Sequence, residues 1–212
     1  MAVQIAGIEI PDSKIANEAT ELIREATTDL VFHHSRRVFL WGALQGERRG
    51  LTVDRELLYV GAMFHDLGLS EQFRDSGRRF EIDGADEART FLLGHGVPEE
   101  GARLVWEGIA LHTTPEIPTL MAPEVALVTA GVELDVLGIG YHDVSDEVRA
   151  AVTTAHPRPG FKQQILAAFN EGIAPRPATT FGNIKADVLA HFDTDFVRPN
   201  FVEVILQSDW PE

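Results

Sequence analysis

The sequence has no cysteine among its 212 residues. Disulfides, thiolate nucleophiles and Cys-ligated zinc or iron–sulfur sites are thereby excluded. This composition suits a reducing cytoplasm, the expected location. Positive charge is also scarce: 18 Lys and Arg face 33 Asp and Glu, for a formal charge of −15. A nucleic-acid partner requires a basic footprint that such a chain does not offer. No uncharged apolar run approaches the roughly 18–20 residues of a membrane span, so no membrane partner is expected. The first ten residues carry no base, and Glu9, Pro11 and Asp12 come too early for a secretory apolar segment. Repeats and Ser/Gly-rich linkers are missing too. With 44% hydrophobic and 24% charged residues, the chain reads as one ordinary globular domain, long enough to bury a core without covalent staples.

What is present is helical periodicity. Asp12 and Ser13 can cap a helix reaching about Arg24, and Thr28 or Asp29 opens a second that ends near Gly46. Asp54 caps a third, Arg55 to Leu67, stopped by Gly68. Asp83 is expected to cap a fourth ending at Gly94 or Gly96. Pro98 starts a fifth that runs to His112, and Pro123 a sixth that runs to Gly138. Later helices are expected at 145–155, 161–170 and 200–208. Only Val3–Ile10 alternates as a strand would. An all-α single-domain helical bundle follows, with an N-terminal segment and helix at 1–27, a helical core at 28–140 and a C-terminal helical extension at 141–212 packed on that core.

The sharpest chemical feature is His65-Asp66, set into the apolar run Leu57–Gly68. Burying such a pair is costly unless its members are partnered or hold a metal. On the second helix His34 shares a face with Val31, Val38 and Trp41 and points inward. His33, among Asp29, Arg36 and Arg37, points outward. On the sixth helix Asp135, flanked by Gly131 and Gly138, is the inward carboxylate, with Glu133 as its rival. His112 ends the fifth helix on the face of Val105, Gly108 and Ile109. Imidazoles and carboxylates in this set suit zinc, iron or manganese, in a site with open positions. His95 reads as a helix C-terminal residue, and His142, His156 and His191 as surface residues. The basic islands Gly77–Arg79 and Arg158–Lys162 read first as solvated loops.

The ordered set His34, His65-Asp66 and Asp135, each on a helix, resembles the HD metal-dependent hydrolase superfamily over roughly residues 28–140. His34-Ser with Arg37, His65-Asp-Leu-Gly, Arg79-Phe-Glu-Ile-Asp-Gly-Ala and Ala110-Leu-His-Thr resemble its cyanamide hydratase branch. The resemblance implies one divalent metal held by His34, His65, Asp66 and Asp135, with zinc first and iron or manganese as alternatives. Glu81 and His112 stand where two-metal relatives place further histidines. That departure makes them pocket residues of a one-metal enzyme acting on a small molecule.

Metal-activated water would add to a nitrile carbon, with cyanamide giving urea. Glu81 or His112 would carry the proton, alongside the metal-bound Asp66. Glu81, between Phe80 and Ile82, is expected to have a raised pKa. Two alternatives remain at this point: a phosphohydrolase using the basic islands as phosphate contacts, and a non-enzymatic helical binding module. Self-association stays open.

Overall fold

The computed structural model describes residues 3–208. The outermost residues of the expected terminal segments, 1–2 and 209–212, lie outside the described residues. A short antiparallel ribbon, β1 (Gln4–Ile5) and β2 (Ile8–Glu9), pairs Ile5 with Ile8. Its turn, Ala6-Gly7, holds positive φ at both positions, the twist that two-residue hairpins prefer. Ten α-helices follow among the described residues: α1 (Lys14–Ala26), α2 (Asp29–Arg48), α3 (Arg55–Phe64), α4 (Phe80–Gly94), α5 (Glu99–Leu111), α6 (Pro123–Val132), α7 (Asp146–Ala155), α8 (Phe161–Ile173), α9 (Lys185–Phe192) and α10 (Phe201–Leu206). The fold is all-α.

Ser13, Thr28 and Asp54 cap α1, α2 and α3 by accepting from backbone N–H groups one turn ahead. The central layer is α2 against α6, with α3 and α5 packed alongside. Gly131 makes this layer possible: a Cβ there would stand 2.2 Å from the Val38 carbonyl oxygen. Val38, Leu58, Met63, Leu127 and Val128 fill the space between these helices, each contributing about 1.5–3 kcal/mol by burial.

The chain departs from the periodicity in four places. The fourth helix starts at Phe80, with Arg79 at its cap position. Asp83 therefore caps nothing; it is buried and takes a 2.5 Å ion pair from Arg176. The sixth helix widens after Val132 into a π turn, Glu133–Leu137, closed by left-handed Gly138. Helix α9 falls where no helix was expected, because Lys185, Asp187 and His191 interrupt its short apolar face. Finally, the extension is expected to pack on the core throughout, yet α10 exposes every side chain. Helices α8 and α9 do pack inward, and Arg176 stitches them to the core through Gly68 O at 2.6 Å and Ser76 Oγ at 2.8 Å.

Candidate metal centre

Three helices deliver three imidazoles. His34 lies in the second turn of α2, whereas His65 and His112 are the C-terminal caps of α3 and α5. The two caps use the same device. Each ring donates its Nδ1–H to the carbonyl three residues back, His65 to Ala62 O and His112 to Ile109 O, both at 2.7 Å. This satisfies a carbonyl that the helix end would leave free. It also fixes the tautomer, so each Nε2 is left with a bare lone pair. His34 is set the same way by a carboxylate, its Nδ1 donating to Asp135 Oδ2 at 2.7 Å.

The bare nitrogens converge on Asp66. His34 Nε2 and His65 Nε2 stand 3.2 Å apart. Asp66 Oδ2 lies 3.3 Å from His65 Nε2 and 3.6 Å from His34 Nε2. Asp66 Oδ1 lies 3.5 Å from His112 Nε2. All four side chains are buried, and neither oxygen of Asp66 nor His112 Nε2 has a hydrogen-bond partner. Acceptors facing acceptors repel one another unless a cation sits among them. Burial works against ionising Asp66, but the facing His65, His112 and His34 outweigh it and hold its carboxyl well below the usual range. Burial likewise opposes a charge on His65, and Asp66 reverses the balance and raises its pKa. The cluster thus draws positive charge. One ligand atom each from His34, His65 and Asp66 lies within 4.8 Å of the others, an N/O donor set of the kind zinc and its neighbours take. On these orphaned acceptors and these donors, a divalent metal fits.

Asp135 corrects an expectation. It is the inward carboxylate and Glu133 is not, but its oxygens do not face the cluster. Arg37 donates from Nε to Oδ1 and from Nη2 to Oδ2, both at 2.8 Å, and Trp41 Nε1 donates to Oδ1 at 2.9 Å. With His34 Nδ1 as the fourth donor, Asp135 is filled and stands behind the His34 ring. Such a partner orients a histidine and strengthens it as a ligand. Burial tends to raise the pKa of Asp135, and these donors bring it far down instead. Arg37 was grouped with outward His33, yet it is fully buried. The missed signal is its spacing: Arg37 follows His34 by three residues and Trp41 by seven, both on the His34 face.

Glu81 is a second correction. It is buried, as its apolar neighbours suggested, and burial alone would raise its pKa. Arg79 and Lys185 oppose that, donating at 2.9 and 2.5 Å, and Thr113 donates too; the pKa falls to about 2. Glu81 is therefore an anion at neutral pH and cannot donate a proton. Its Oε2 is unpartnered. Lys185, contributed by α9, carried no sequence signal.

Among the other histidines, His95 ends α4 as expected and bonds Phe91 O and Glu18. His33 is only half-buried. His156, expected at the surface, is buried against it, with Nδ1 atoms 3.2 Å apart. The first basic island is spent on ion pairs: Arg78 with Asp86 and Arg79 with Glu81. Arg158, in the second, is only one-third exposed and donates to Asp135 O at 2.7 Å.

No curated protein matches this chain. The family model described as "HD domain" matches residues 31–149, a span that contains His34, His65-Asp66 and Asp135. That span is more than half of the sequence, and the chain belongs to the HD domain family.

Proposed function

We propose that this protein is a metal-dependent hydratase of the cyanamide hydratase kind, adding water across the nitrile of a small neutral molecule. The observation that supports this most is the donor-free cluster of His34, His65, Asp66 and His112, whose Asp66 lines a cavity. A cavity of about 280 Å³ reaches Asp66. It falls just below the usual range for ligand sites, roughly 300–1,000 Å³, as suits a very small substrate. Among its charged lining residues Arg74 is outnumbered by Asp66, Glu71 and Glu171. Such walls accept a neutral substrate and repel a phosphoester. The pairing of Arg78 and Arg79 with carboxylates weighs against the phosphohydrolase reading as well.

His34, His65 and Asp66 would hold the metal, zinc first and iron or manganese otherwise. When bound, it supplies Lewis acidity that makes water a nucleophile near neutral pH. Asp135 holds His34 in the ligating tautomer. His112, pinned through Nδ1, offers the Nε2 lone pair, which would take the proton lost by the attacking water and return it to the substrate nitrogen. Glu81 faces this region as a fixed anion whose charge is balanced by Arg79 and Lys185. Leu69, Phe80 and Ile173 form an apolar cluster beside the site and keep bulk water out.

Elemental analysis of purified protein, joined to urea formation from cyanamide and phosphate release from a phosphoester panel, tests this. The expected result is about one equivalent of metal and urea production that chelator abolishes, at or above the ~10²-fold scale of such losses. Phosphate release without urea formation would overturn the hydratase reading. Metal-free protein that is unchanged by added zinc, iron or manganese would overturn both.

A further inference from the structure

A second cavity, of about 490 Å³, opens beside Asp135, and none of His34, His65, Asp66, Glu81 and His112 lines it. Trp41, Leu134 and Val144 supply apolar wall, while Arg149, Arg158 and Lys162 bring three cations against one solvated carboxylate, Asp146. On a chain with almost twice as many acids as bases this local excess is unusual. Two of these charges neutralise each other: Arg149 pairs with Asp146 and donates to the carbonyls of Tyr141 and Val144. Asp135 is already matched by Arg37.

Arg158 and Lys162 are left. Arg158, one-third exposed, lies over the Phe161 ring at 4.6 Å, spends one Nη on Asp135 O at 2.7 Å, and keeps its buried Nε 3.9 Å from Asp135 Oδ1. Lys162 is exposed one turn along, with no carboxylate oxygen within 4.0 Å among the described residues. The π turn shapes the mouth. It leaves Leu137 and Tyr141, 68% and 47% exposed, as apolar lips around the cationic floor. Local widening of this sort recurs at functional sites.

We propose that this cavity binds a small organic monoanion, a carboxylate on an apolar body. The carboxylate would sit between Arg158 and Lys162, and the body against Trp41, Leu134 and Val144. The exposed part of the Arg158 guanidinium and the exposed Lys162 ammonium suit one carboxylate. The apolar walls supply the rest of the affinity. None of His34, His65 and Asp66 lines this cavity, although Trp41 and Asp135, which stand behind His34, are shared with its wall.

Calorimetric titration of the chelator-treated full chain with benzoate and with benzamide tests this. The two probes share a ring and differ in charge. Benzoate is expected to bind with a Kd of roughly 10⁻⁵–10⁻³ M, and benzamide at least about tenfold more weakly. Lys162→Glu, at an exposed position, should weaken benzoate about fivefold or more and leave the thermal midpoint unchanged. Ala150→Trp, on the solvent side of α7 at the cavity wall, should block both probes. Equal affinity for the two probes, no effect of Lys162→Glu, binding that vanishes on chelation, or no benzoate binding below about 10 mM would each overturn the proposal.

Discussion

Two buried aspartates lie on either side of the His34 ring, and they are treated in opposite ways. Asp135 has four donors: both arms of Arg37, the indole of Trp41 and Nδ1 of His34. Asp66 has none, and three imidazole nitrogens crowd it with lone pairs. Both are ionised, so burial alone does not separate their roles. The supply of donors does. A carboxylate whose valences are filled by protein is scaffold, and one left without donors among imidazole nitrogens waits for a cation. The two are in series, since Asp135 sets the tautomer by which His34 faces Asp66.

The largest effect should come from breaking the filled side. Arg37→Met keeps volume and removes the counter-charge, leaving Asp135 buried and under-partnered. A loss of about 3–5 kcal/mol in urea unfolding is expected, the scale of a broken buried pair. A loss below about 1 kcal/mol would show that the two aspartates do not differ as described.

On the bare side, His112→Gln should lower turnover about 10²-fold while metal content holds, as for a lost acid–base group. Loss of metal in this variant would place His112 among the ligands and favour a two-metal site. The test is turnover and metal content measured on the same preparation.

A smaller effect concerns pH. Burial, with Arg36, His33 and Arg37, pushes the His156 pKa down from 6.5 to about 3. Between those values the unfolded chain binds the proton and the folded chain does not, so stability falls as pH drops through this window. Glu81, lowered from 4.5 to about 2, adds loss in the same direction below pH 4.5. His156→Gln should therefore flatten the decline between pH 6.5 and 4.5 in thermal melts, while the fall below 4.5 persists. Parallel curves for the two proteins would contradict this.

The parts of this comparison differ in how well the sequence shows them. His34 and the His65-Asp66 doublet are legible because polar groups interrupt apolar helical faces, and a face is a local property. The same holds for the caps Ser13, Thr28 and Asp54. What Asp135 does is not local: its inward position could be read, but its four donors come from α2, 94 to 101 residues away in sequence. Glu81 misleads for the same reason. Its apolar neighbours predict a raised pKa, and Lys185, 104 residues on, reverses it. Helix α9 escaped because eight residues are too few for a periodic signal.

Metal affinity in Asp66→Asn and Asp135→Asn, each verified as folded by circular dichroism, tests the central claim most directly. Wild type should hold about one equivalent of metal and Asp66→Asn none. Asp135→Asn should keep the stoichiometry with affinity weakened about 10–100-fold, the cost of disturbing a residue behind a ligand. Complete loss of metal in folded Asp135→Asn, equal to that in Asp66→Asn, would make Asp135 a direct ligand and contradict the account.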